Sequence, residues 1–277
     1  MVSDRVRPPL VFRCSTAKVL RMWAGTDFRS RAYLSYLRDL PQVRGKLRIG
    51  RAIADRLPSL GIVGENGVRF DLDPKDWISW LIAREGAYEP NTLRLASKLI
   101  SGGGTLLDIG AAWGLYTCTL GVLPGVDVIA IEPTARSFER LARNVARNGV
   151  RAKLVNAALG PSMGLVSMGI DVYGNDLTAR VSDQGDRFVA SVTPASVLQT
   201  VGAKHIRLLK IDVEGYEWPI LEAYPWGELS PDWLIVELYD KYLAERGMTR
   251  NDAVRFLADR GYDARESHED NVFFERR

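Results

Sequence analysis

Leu107-Asp108-Ile109-Gly110-Ala111-Ala112-Trp113-Gly114-Leu115-Tyr116 is the stretch that decides the fold. An apolar run from Thr105 to Ile109 leads through Gly110 into a helical pattern from about Ala112 to Val122. Gly110 and Gly114 let the backbone approach a ligand closely, and a helix N-terminus offers unpaired N–H groups to it. Strand, glycine turn and helix in this order predict the first unit of an open α/β sheet that binds its ligand at the carboxyl ends of the strands.

The rhythm continues on both sides. The spacing predicts a helix over Asn91–Ile100 and a strand over Asp127–Ile131 that ends at Glu132-Pro133. A helix over Phe138–Asn148 and a third strand over Lys153–Ala158 follow. His205–Val213 and Trp233–Leu238 read as two more buried strands. A helix over Asn251–Arg260 and a closing pair, Tyr262–Arg265 and Asn271–Glu275, complete the chain. Continuous apolar strands alternating with helices imply a largely parallel sheet covered on both faces. Residues 161–195 read as an insertion with short strands near the mouth of the site. Upstream, Ile62–Phe70 reads as a β-hairpin turning at Asn66-Gly67, because both turn positions need positive φ. Residues 15–57 read as short helices broken near Gly25, Pro41 and Gly45.

At 277 residues, 46% hydrophobic and 26% charged, the chain can bury one large core. Cys14 and Cys118 are far apart, which argues against a disulfide framework or a cysteine-based zinc site and for a reducing, cytoplasmic setting. No run approaches the ~20 apolar residues of a membrane span, and the first twenty residues lack a signal-peptide core. Residues 1–60 hold thirteen Lys and Arg against four Asp and Glu, although the whole chain carries only +3. This basic extension reads first as a solvated helical face. Contact with anionic lipid or an anionic partner is the alternative, with RNA a weaker one.

Glu132 stands 24 residues after Asp108, at the end of the next strand, where an acid accepts hydrogen bonds from both hydroxyls of a ribose. Asp108 sits directly ahead of the glycine turn and would repel a pyrophosphate. A ligand that carries a sulfonium and an ammonium instead suits it, so S-adenosylmethionine is preferred over NAD. In Lys210-Ile211-Asp212-Val213-Glu214-Gly215, Asp212 and Glu214 are two apart and would share a face of an extended chain at the ligand edge. They could orient a hydroxyl, act as general base or hold a divalent cation, or form an ion-pair network with Lys210 or Arg207. Glu237 ends the next strand on the same edge. His268, in the last loop, is a further candidate, whereas His205 reads as surface.

The chain resembles the FkbM family of methyltransferases. The resemblance is carried by Tyr88-Glu89-Pro90, by Asp108 to Tyr116, by Glu132-Pro133, by Asn144 and Asn148, and by Leu209 to Gly215, over roughly residues 85–240. It departs from the family at Ala112, where the family pattern has Asn. The resemblance implies a class I methyltransferase with a Rossmann-like, doubly wound α/β sheet in a domain over residues 61–277 that begins with the hairpin, after the basic helical extension over residues 1–60. It implies S-adenosylmethionine as cofactor, near Glu89, Asp108, Gly110, Ala112, Gly114 and Tyr116, with Glu132 and Pro133 at the ribose. Asn156 and Ala157 would lie by the adenine. Asp212 would meet both cofactor and acceptor, with Glu214, Glu237 and His268 as further catalytic candidates. The implied reaction is O-methylation of a sugar hydroxyl in a glycan, glycolipid or related natural product. A polyketide or other small metabolite is the alternative acceptor, and a non-catalytic cofactor-binding module is the alternative from another class.

Overall fold

The computed structural model describes residues 24–41, 43–169, 179–182, 185–268 and 270–277. Cys14 and the basic residues before Ala24 lie outside them. In chain order the elements begin with β1 (Ala24–Gly25), α1 (Phe28–Arg38), α2 (Lys46–Ala54), β2 (Leu60–Val63), β3 (Arg69–Leu72), α3 (Trp77–Glu85) and α4 (Pro90–Ile100). Then come β4 (Gly104–Ile109), α5 (Leu115–Gly121), β5 (Val126–Ile131), α6 (Ala135–Asn148) and β6 (Ala152–Val155). The insertion holds β7 (Ala158–Leu159), β8 (Gly164–Gly169), β9 (Arg180–Val181) and β10 (Arg187–Val192), followed by α7 (Pro194–Thr200). The last part contains β11 (Leu208–Ile211), α8 (Glu217–Ala223), β12 (Trp233–Glu237), α9 (Asp240–Glu245), α10 (Arg250–Ala258), β13 (Tyr262–His268) and β14 (Asn271–Arg276).

Seven strands form the central sheet in the order β13-β14-β12-β11-β4-β5-β6. The run β12, β11, β4, β5, β6 is parallel, and β14 is antiparallel to both of its neighbours. This is the class I methyltransferase sheet that the resemblance implied, with the last strand inserted in reverse before the edge. One apolar cluster fills each face. Leu106, Leu208, Ile235 and Phe273 point one way, and Leu107, Ile109, Leu209 and Val236 the other. The alternation is that of a strand buried on both sides.

The hairpin forms as read. Asn66 and Gly67 both take positive φ, at 56° and 75°, between antiparallel β2 and β3. Helix α6 then covers the edge of β3 with two side chains spaced i, i+4. Asn144 Oδ1 accepts from Asp71 N at 2.8 Å, and Asn148 Oδ1 accepts from Arg69 N at 2.8 Å. Asn148 Nδ2 donates back to Arg69 O at 2.7 Å, so two asparagines stand in for a neighbouring strand. Asn144 Nδ2 also donates to Trp113 O at 2.8 Å, and the Trp113 ring meets Phe70 of β3 edge-on at 5.2 Å. The hairpin is thereby fastened to the glycine turn.

Several sequence readings shift. The helix expected from Ala112 starts at Leu115, because Ala112 is left-handed (φ 50°) and Gly114 caps the helix. The third strand ends at Val155; Ala158–Leu159 pairs instead with β10, in a separate sheet of order β7-β10-β8-β9. The fourth core strand is only Leu208–Ile211, since the chain turns at Asp212. The change at residue 60 is one of charge and not of packing. Strand β1 pairs with β2, and Tyr33, Leu34 and Leu37 of α1 join the cluster that contains Leu106. Ile49 is exposed on α2. Among the described residues no helix is long and apolar enough to cross a membrane.

Asn144 satisfies two buried backbone groups at once. We expect Asn144→Ala to cost about 2–3 kcal/mol, the usual penalty for leaving such groups unpaired. The lowered midpoint in a urea titration checks it, and Asn148→Ala, at the more exposed end, should cost less.

Candidate functional site

Parallel strands deliver their carboxyl ends to one edge of the sheet, and the chain must turn away there. Gly110 makes the first turn. A Cβ on Gly110 would sit 1.7 Å from the carbonyl oxygen of Asp212, so only glycine lets β4 and β11 close this tightly. Above these strand ends lies a cleft of about 1020 Å³ counting its open mouth.

Among the described residues the cleft is lined by six carboxyl groups, Glu89, Asp108, Glu132, Asp212, Glu214 and Glu237, and by one ammonium, Lys210. Strand register brings the charges together. Lys210 and Asp108 are direct partners on β11 and β4, so their side chains stand on the same face. Lys210 Nζ donates to Asp212 Oδ2 at 2.6 Å and lies 4.5 Å from the centre of the Tyr116 ring. Burial alone would depress the Lys210 pKa; Asp212, Glu89 and Asp108 together raise it, so the ammonium stays charged. Asp108 is buried, which raises its pKa, while Lys210 and the Thr117 hydroxyl (donating at 2.6 Å) oppose that shift.

Glu132 ends β5. Its Oε2 accepts from Ala112 N at 2.9 Å, and its Oε1 accepts from Thr134 N at 2.8 Å and from Thr134 Oγ1 at 2.6 Å. Burial pushes its pKa up to about 7 despite these donors. Glu89 is held between Tyr116 Oη, donating at 2.6 Å, and Asn271 Nδ2, donating at 3.0 Å, and burial raises its pKa as well. Glu237 has an Oε2 that is buried and without a hydrogen-bond partner. Burial, then the charges of Asp212, Glu217 and Glu214, push its pKa up to about 11, so it holds a proton at neutral pH.

Backbone strain gathers at the same place. Among the described residues four non-glycine residues have positive φ. One is Asn66 in the hairpin turn; the other three, Glu89 (46°), Ala112 (50°) and Glu214 (56°), all line the cleft. Each costs on the order of 1–3 kcal/mol, and such residues cluster where a ligand is handled.

Eleven of the residues singled out in the sequence therefore line one cleft: Glu89, Asp108, Gly110, Ala112, Tyr116, Glu132, Pro133, Ala157, Asp212, Glu214 and Glu237. Asp212 and Glu214 meet there through a turn and not by strand alternation. Gly114 lies behind the lining, packed toward Leu141. Asn156 braces the wall by donating to the carbonyl oxygens of Glu132 (2.8 Å) and Pro133 (3.1 Å). His268 stands apart on β13, 3.4 Å from Glu266 and edge-on to Phe273. Sequence reasoning did not anticipate Lys210 as the central cation or Asn271 as the partner of Glu89; the insertion, read as lying near the mouth of the site, supplies Met168 and Val181 to its wall. Among the described residues no group of three or more His, Cys, Asp or Glu is arranged to hold a metal ion.

Residues 108–264, more than half of the chain, match the model of the methyltransferase FkbM domain. The chain belongs to the FkbM methyltransferase family. It is also similar to the hexuronic acid methyltransferase AglP of Haloferax volcanii, 25% identical over 186 residues, which is 67% of this chain and 76% of that protein. Among solved structures it is similar to precorrin-6y C5,15-methyltransferase of Geobacter metallireducens, at 14% identity and a TM-score of 0.42 over 68% of this chain and 87% of that one. It is similar as well to TYW2 of P. horikoshii, at 14% identity and a TM-score of 0.41 over 78% and 69%. The strand order carries the fold class.

The FkbM departure at Ala112 now has a physical reading. Its backbone N–H still holds Glu132, but alanine is poorly suited to left-handed φ, whereas Asn visits that region readily. We expect Ala112→Asn to stabilise the protein by about 1 kcal/mol, seen as a higher Tm.

Glu237 predicts a pH effect. Its pKa is about 11 in the folded chain against an ordinary 4.5, so the folded state binds the extra proton. The associated stability is complete below about pH 4.5 and drains away as pH rises toward 11. Tm of the protein without ligand should fall between pH 5 and 9, and Glu237→Gln should flatten that slope.

Proposed function

We propose that this FkbM methyltransferase uses S-adenosylmethionine to methylate a hydroxyl of a sugar. One observation carries the choice of cofactor: six carboxyl groups face one ammonium around the cleft. A dinucleotide would bring its pyrophosphate to the glycine turn beside Asp108, whereas a ligand with a sulfonium and an ammonium is drawn in by the same field. The glycine turn of β4 and the acid after β5 would take the adenosine half, with Glu132 facing the ribose hydroxyls and Pro133 and Ala157 along the base, since all of them line the cleft. Tyr116, Glu89 and Asp108 would face the methionine half. When bound, S-adenosylmethionine supplies an activated methyl group, so the protein's work is alignment and removal of one proton.

Glu214 is the base in this reading. It lines the cofactor cleft and also a second, polar pocket bounded by Ser167, Arg180, Ser182, Glu245 and Arg246, so it stands at their junction. Glu237 already holds a proton in the free protein, and Asp212 is tied to Lys210. Tyr242 Oη donates to Glu214 Oε2 at 3.2 Å and keeps it turned toward the junction. The acceptor hydroxyl would pass its proton to Glu214 as its oxygen bonds to carbon. The resemblance to a hexuronic acid methyltransferase supports a sugar as acceptor.

The test is transfer of labelled methyl from S-adenosylmethionine to sugar acceptors, followed by alkali treatment of the product. A methyl ether survives alkali and supports transfer to a hydroxyl, whereas label released by alkali marks a carboxyl ester and contradicts it. Glu214→Gln should lower kcat about 100-fold or more, the usual worth of a general base, with cofactor affinity little changed.

A further inference from the structure

The second pocket lies on the acceptor side of Glu214 and differs in character from the cofactor cleft. Three residues belong to both walls, Val181, Glu214 and Tyr216, so a molecule seated in the pocket reaches the junction. Two arginines line it, from different elements. Arg180 comes from β9 of the insertion, where its guanidinium pairs with Glu245 at 2.8 Å and lies 5.3 Å from the Tyr242 ring centre. Arg246 comes from the end of α9. Its Nε donates to Gly215 O at 2.9 Å and its guanidinium lies 4.9 Å from the Tyr216 ring centre.

These contacts fix the Arg246 side chain at Nε and across its face, and none of the hydrogen bonds described for it uses its two terminal nitrogens. No carboxylate among the described residues pairs with it. An arginine anchored in this manner presents a planar fork that matches a carboxylate in two parallel hydrogen bonds. The need for such a fork follows from the neighbouring charge. An acidic sugar approaching the carboxylates of Glu214 and Asp212 is repelled unless a cation meets its own carboxylate. Lys210 is buried and committed to Asp212, which leaves the arginines of the second pocket for that task.

We propose that this pocket is the acceptor subsite, and that Arg246, supported by Arg180, reads the carboxylate of a uronic acid residue and so presents a ring hydroxyl of that sugar to Glu214. The assignment rests on the reading of the cleft as the methyl-donor site and adds the substrate class. The carboxylate stays at the arginines as a recognition group and takes no methyl. Tyr216, half-buried beneath the Arg246 guanidinium, offers its ring to the sugar face.

The test is equilibrium binding by saturation-transfer NMR, with methyl glucuronoside, its neutral counterpart methyl glucoside, and glucose 6-phosphate, each added to the full-length protein with S-adenosylhomocysteine present. The glucuronoside should bind at least tenfold more tightly than the glucoside. Arg246→Met should abolish that preference, Arg180→Met should reduce it, and both variants should keep the wild-type Tm and S-adenosylhomocysteine affinity. Equal binding of glucoside and glucuronoside, or a preference untouched by Arg246→Met, overturns the assignment. So does tighter binding of the sugar phosphate, which would replace the carboxylate by a phosphoryl group as the ligand. The glucuronoside preference can appear even where no methyl is transferred; that pair of results would sink the methyl-transfer reading and leave the subsite standing. Methyl transfer to neutral sugars alone would do the reverse.

Discussion

A single buried ammonium holds the functional edge of this sheet together. Lys210 lies within the sheet, 2% exposed, where an unpaired charge would be intolerable. It is tolerated because register sets Asp108 beside it, the turn after β11 returns Asp212 to 2.6 Å, and Tyr116 lays its ring beneath it. Glu89 adds a further negative charge from the start of α4 and is itself anchored by Tyr116 and by Asn271 of the last strand. One cation thus couples β4, β11, α4, α5 and β14, elements spread over nearly two thirds of the chain. Removing either side of such a pair leaves an uncompensated buried charge, which is far more costly than never having had the pair.

The same edge is over-supplied with acid. One ammonium cannot balance six carboxyl groups, and the surplus is held by protonation, with Glu237 and Glu132 both raised, and by donors from the backbone. Three residues accept left-handed backbone to stand where they do. A core built for stability alone would use neither device. Both would suit a cleft completed by a cationic ligand, as proposed, and the two pockets share Glu214 in their walls.

Much of this was legible because local chemistry dictated it. The glycine turn after an apolar strand, the acid ending the next strand and the Asn66-Gly67 hairpin each need particular residues at fixed spacing, and each took its expected form. Strand ends were less legible: Asp212 reads as a continuation of β11 until Glu214 turns the chain. Least legible were relations set by register between distant segments. Nothing near Lys210 in sequence announces Asp108 or Glu89 as partners, and nothing near Asn271 announces Glu89. The asparagines of α6 were visible as part of a family pattern, but their work of covering the edge of β3 depends on where the hairpin docks. His268 is outside the residues that line the cleft, although its register partner on β14, Asn271, reaches Glu89 there.

Calorimetric titration of the purified protein with S-adenosylmethionine, beside NADH, tests the central claim most directly. The account predicts 1:1 binding of S-adenosylmethionine, weakened at least tenfold in Glu132→Ala, and no binding of NADH. Absence of S-adenosylmethionine binding, or comparable binding of NADH, would contradict the reading of this acidic cleft as the site of a cationic methyl donor.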